Sequence, residues 1–74
     1  MRPYIGERLR EVRTRRNMSQ ETLAQRAAIT QTHLSRLERD VSAPRYSTIF
    51  RLARELDVTP EYLTGLEFTD LEDE

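Results

Sequence analysis

The chain has 74 residues, 36% of them hydrophobic and 34% charged, with no cysteine; that is enough for one small domain held without disulfide or thiolate–metal staples. Its apolar runs are too short to span a bilayer and its N-terminus has no signal-peptide core, so a cytoplasmic protein with no membrane contact is expected. The net charge of −1 hides a division: residues 1–66 hold 12 Arg and 8 acids, a net of +4, whereas residues 67–74 hold 5 acids and no base, so a basic body open to nucleic acid precedes an acidic tail.

Residues 1–4 read as a loose arm. From Ile5 to Arg16 the apolar residues Ile5, Leu9 and Val12 keep the spacing of an amphipathic helix. Asn17 follows as a left-handed stop, with Met18 placed to plug the junction beyond it. Two helix starts then lie eleven residues apart, Ser19 before Gln20-Glu21-Thr22 and Thr30 before Gln31-Thr32-His33. Each hydroxyl is placed to accept a bond from the free N–H groups of a first turn. The second helix carries Leu23, Ala24 and Ala27 on one side, and the third carries Leu34 and Leu37. The small Ala24 and Ala27 let the third helix cross closely, as a helix-turn-helix requires.

Asp40 to Pro44 reads as a loop, since proline biases Ala43 toward an extended backbone. The fourth helix runs from Ser47, or already from Tyr46, to Leu56, with the stripe Ile49, Leu52, Ala53 and Leu56 facing the core. After the link Asp57-Val58, Thr59-Pro60-Glu61 restarts a helix with a capping hydroxyl, a proline at the first helical position and an acid at the positive end of the dipole. This last helix presents Tyr62, Leu63 and Leu66, and Gly65 permits an abrupt end. Residues 67–74 form an acidic tail with two large apolar residues, Phe68 and Leu71. Five helices and no strand pattern make the chain all-α.

The outward side of the third helix decides the function. On a wheel of 3.6 residues per turn, Leu34, Leu37 and Glu38 face one way, and Gln31, Thr32, Ser35, Arg36 and Arg39 face the other. Gln can bond adenine through two atoms, Arg can bond guanine likewise, and the Thr methyl can meet that of thymine. An isolated polar helix face is ordinarily just solvated; the turn and the small residues ahead of it favour base reading here. All twelve basic residues are Arg, which suits bidentate phosphate contacts but fits genome composition better.

The run SQETLAQRAAITQTHLSRLE resembles the helix-turn-helix of the phage repressor and Cro family, also called the xenobiotic-response-element family. The preceding LREVRTRRNM and the later PRYSTIFRLARELDVTPEYL fit the same pattern, so the resemblance covers about residues 5–66. It implies a compact five-helix lambda-repressor-like DNA-binding domain over residues 1–66, with the helix-turn-helix at helices 2–3. It implies base contacts from Gln31, Thr32 and Arg36, to which Ser35 is added from the wheel. Gln20, Arg39, Ser42 and Arg45 are the phosphate candidates, Arg45 having the minor groove as an alternative. The family's ion pair between the first and third helices falls on Arg13 and Glu38, against the bland reading of two independent surface charges. Family members pair on DNA, so a homodimer on an inverted repeat is expected, with Tyr62, Leu66, Phe68 and Phe50 at its interface. Completion of a small core explains Phe50 and Tyr62 equally well. Where the family often has glycine at left-handed helix ends, this chain has Asn17, Ala28, Asp40 and Asp57. Ala28 is the least comfortable of these.

Catalysis and metal binding find no support. His33 is the only histidine, no carboxylate pair has a pocket to work in, and a metal lacks ligands. Gly6 and Gly65 are the only glycines, so no phosphate loop exists. The expectation is a sequence-specific transcriptional regulator on double-stranded DNA, a repressor in its simplest form, with no enzyme activity and no cofactor. The alternative is an antitoxin-like interaction module whose acidic tail docks on a protein partner.

Overall fold

The computed structural model describes residues 5–65. The helices are α1 (Gly6–Arg15), α2 (Gln20–Arg26), α3 (Gln31–Glu38), α4 (Tyr46–Leu56) and α5 (Pro60–Thr64). There is no strand among the described residues. Three helix starts follow from their capping side chains. Ser19, Thr30 and Thr59 sit in extended backbone and accept 3.0 Å bonds from the N–H groups of Thr22, His33 and Tyr62, which satisfies donors that the helix itself cannot. α4 starts at Tyr46, the earlier of the two starts considered, behind an Arg45 whose side chain makes no capping bond.

The helix ends share one device. Asn17, Ala28, Asp40 and Asp57 all lie in the left-handed region, at φ of 57°, 61°, 57° and 59°. The next residue in each case donates its N–H back five positions: Met18 to Arg13 at 3.1 Å, Ile29 to Ala24 at 2.9 Å, Val41 to Arg36 at 2.9 Å, and Val58 to Ala53 at 3.0 Å. This is the Schellman closure, in which the residue after the left-handed one usually packs back on the helix. Met18, Ile29 and Val58 do pack against the core; Val41 stays 58% exposed. Asn and Asp tolerate positive φ, but Ala28 has a Cβ with no compensating polar group, at a cost of roughly 1–2 kcal/mol. The helix-turn-helix therefore keeps its turn by bearing strain.

α1 is one residue shorter at each end than the sequence pattern suggests. Ile5 is its cap, and the Ile5 carbonyl accepts from Leu9 at 2.7 Å. α1 packs on α3 and α5, α2 on α3 and α4, and α4 on α5. The core they enclose consists of Ile5, Leu9, Val12, Leu23, Ala24, Ala27, Leu34, Leu37, Ile49, Leu52, Ala53, Leu56 and Leu63. The start of α1 lies directly on the end of α3. The Gly6 N–H donates to the Asp40 carboxylate at 3.0 Å. A Cβ at Gly6 would collide with the Glu38 carbonyl and come within 2.7 Å of the Leu37 carbonyl, so only glycine permits this approach.

Candidate nucleic-acid interface

The inner side of α3 is fixed by packing and by one buried polar cluster. Leu34 and Leu37 are fully buried. Glu38 is buried too, with its side chain 3% exposed beside an Arg13 side chain at 12%. Arg13 Nε lies 2.5 Å from Glu38 Oε2, and Arg13 Nη2 donates to Glu38 Oε1 at 3.1 Å. Arg13 Nη1 donates to the Met18 carbonyl at 2.8 Å. A bidentate, hydrogen-bonded pair is the form in which a buried carboxylate is tolerable. Gln20 completes the cluster, its Nε2 donating to Glu38 Oε1 at 2.9 Å. One carboxylate thus ties α1 and α2 to the last turn of α3.

The link from Gln20 to Glu38 was not read from the sequence. Gln20 stands at the first position of α2, which marked it as a phosphate candidate, and its distance of 18 residues from Glu38 gives no local signal. The two roles are compatible, since a primary amide has two N–H donors and Glu38 takes one. The Gly6–Asp40 bond was missed for the same reason: its partners are 34 residues apart.

The outer side of α3 is open. Gln31, Thr32 and Arg36 are exposed and Ser35 is half-buried. Gln20, Gln31, Thr32, Ser35 and Arg39 together line a shallow depression of about 240 Å³. The structure therefore gathers three of the four base-edge candidates with two of the four phosphate candidates. Arg36 is exposed on the same helix outside that depression. Arg45 is exposed just before α4, and Ser42 is half-buried in the loop. His33 is half-buried, with its backbone N–H held by Thr30. No group of three potential metal ligands occurs among the described residues, and no helix there is long and apolar enough to cross a membrane.

Of the residues assigned to self-association, Leu66 and Phe68 lie outside the described residues, as does the acidic tail. Phe50 is 48% exposed and packs edge-on against Tyr46, itself 61% exposed, with ring centroids 4.7 Å apart. It does not complete the core. Tyr62 is half-buried against the core, and the Arg8 guanidinium sits 4.9 Å from its ring centroid, joining α5 to α1. The core reading thus fits Tyr62 and fails for Phe50.

The helix-turn-helix family model matches residues 9–63. An uncharacterised HTH-type transcriptional regulator, y4dL of Sinorhizobium fredii, is 36% identical over 55 residues, covering 74% of this chain and 28% of its own length. The chain spans 48% of a second curated regulator that it matches. The restriction-modification controller protein C.AhdI of Aeromonas hydrophila is 37% identical and superposes with a TM-score of 0.78 over 81% of this chain and 91% of its own. The biofilm master regulator SinR, solved in complex with DNA, is 28% identical with a TM-score of 0.77, over 80% of this chain and 95% of its own. With the cap–turn–cap geometry of α2 and α3 and the clamp on Glu38, these matches give the conclusion: the chain belongs to the Cro/C1-type, or xenobiotic-response-element, helix-turn-helix family.

Proposed function

We propose that this chain is a sequence-specific DNA-binding transcriptional regulator, most simply a repressor, that places α3 in the major groove. The observation that carries the reading is the two-sidedness of α3: its inner residues are immobilised while Gln31, Thr32 and Arg36 are left exposed beside them. Base edges in the major groove offer the donors and acceptors those side chains require. In this reading Gln31, Thr32, Ser35 and Arg36 meet bases. Gln20, Arg39, Ser42 and Arg45 meet phosphates and set the register. Gln20 would give its second amide proton to a phosphate while Glu38 holds the first. The related SinR was solved in complex with DNA, which supports DNA as the partner in this reading.

One α3 touches only a few base pairs. A homodimer on an inverted repeat, with its two reading helices about 34 Å apart, would supply the missing affinity. The exposed Phe50 and the neighbouring α5 support a self-association surface on the α4–α5 side.

Selection of bound sequences from random duplexes tests both parts. A palindromic consensus, bound with an affinity that falls steeply with salt, is the expected result. No consensus would reject sequence-specific reading, and a non-repeated consensus would reject the homodimer on an inverted repeat.

A further inference from the structure

A groove of about 330 Å³ opens on the side formed by α4 and its link to α5, lined by Phe50, Arg51, Ala53, Arg54, Val58 and Pro60. It has no part in the proposed reading of DNA. Its walls are mixed: Phe50 is half exposed, Val58 is half-buried against the core, and two arginines, Arg51 and Arg54, are part of the lining. One of these arginines is incompletely satisfied, because Arg51 Nε is buried and has no hydrogen-bond partner among the described residues. A buried donor left without an acceptor is costly. The guanidinium charges of Arg51 and Arg54, beside the exposed Phe50 and the half-buried Val58, suit an occupant that carries carboxylates and large apolar side chains.

This chain carries such a segment. Residues 66–74 read LEFTDLEDE, with five carboxylates and with Leu66, Phe68 and Leu71 as apolar anchors. We propose that this segment folds back on its own molecule, seating Phe68 and Leu71 against Phe50 and Val58 and placing its acids on Arg51 and Arg54. The reach is ample. Pro60, in the groove wall, opens the five-residue α5 that ends at Gly65, a distance of about 7.5 Å at 1.5 Å per residue. The nine residues beyond Gly65 span up to roughly 30 Å when extended. So short a tether keeps the segment at millimolar effective concentration, which favours its own groove over that of a second molecule. Phe50 also belongs to the surface assigned above to self-association, so a docked segment and a second copy would compete for it.

A nitroxide label tests the proposal in the full chain, because the protein has no cysteine and Glu74→Cys creates a single attachment site. Amide signals of Phe50, Ala53, Arg54 and Val58 should lose most of their intensity in the labelled protein, unchanged on dilution. Signals of Gln31 to Arg36 should keep theirs. Adding Phe68→Ser and Leu71→Ser, which leave residues 5–65 untouched, should restore the lost intensity, and Arg51→Gln with Arg54→Gln should do so in part. Even broadening over the whole surface, broadening centred on α3, or broadening that disappears on dilution would each overturn the proposal; the last would mean that the segment belongs to another molecule.

Discussion

Leu34, Leu37 and Glu38 are shut away from solvent, while Gln31, Thr32 and Arg36, interleaved with them along the same eight-residue helix, stand exposed. The inner set is held by the core and by a carboxylate that receives bonds from both Arg13 and Gln20. The outer set has no comparable restraint. Rigid backing behind a free polar edge is what base recognition needs, since a reading helix that shifts loses its register. The difference also separates consequences: changes on the inner side should act on folding, and changes on the outer side on binding.

The sharpest break between the two sides is Glu38→Ala. It strands Arg13 in a largely buried site and should cost about 3–5 kcal/mol of stability, against a near-neutral Glu21→Ala on the surface. Thermal denaturation of the two variants checks this, and equal losses would contradict the clamp. Gly6→Ala comes next. The added methyl meets the Leu37 carbonyl at 2.7 Å, and a loss of about 1–3 kcal/mol is expected from the forced backbone shift. On the outer side, Arg36→Ala should leave the melting temperature almost unchanged yet cost about 1–3 kcal/mol of binding and relax the preference at one base pair. Arg39→Ala should weaken all duplexes alike. The smallest effect is Ala28→Gly, which relieves positive φ at the turn and should be neutral or stabilise the fold by up to about 1 kcal/mol. A clear destabilisation in chemical denaturation would show that the turn depends on the alanine side chain.

Local signals were legible because they act over a few residues. Capping hydroxyls at Ser19, Thr30 and Thr59, the proline opening α5 and the apolar stripes of α1 to α4 each report a requirement of one helix. The left-handed end at Asn17 was legible from the residue itself, whereas those at Ala28, Asp40 and Asp57 were visible only through resemblance to a family that often places glycine there. Composition alone would have put Ala28 inside a helix. The bonds from Gln20 to Glu38 and from Gly6 to Asp40 were hidden, since they join residues 18 and 34 positions apart and depend on how three helices cross. Phe50 falls outside the stripe of Ile49, Leu52, Ala53 and Leu56 that its helix turns to the core. Its pairing with an exposed Tyr46 one turn earlier was written in the i, i+4 spacing but went unread, because Tyr46 had been placed at the edge of the helix.

Whether the open side of α3 reads base edges is decided by a titration cycle. Wild-type protein and Arg36→Ala are each titrated against the selected duplex and against one altered at the base pair that Arg36 reads, at one fixed salt concentration. Wild-type protein should prefer the selected duplex by about 1–3 kcal/mol, and Arg36→Ala, folded and melting at the same temperature, should bind both duplexes equally. An Arg36→Ala protein that keeps the full preference would contradict base reading by α3.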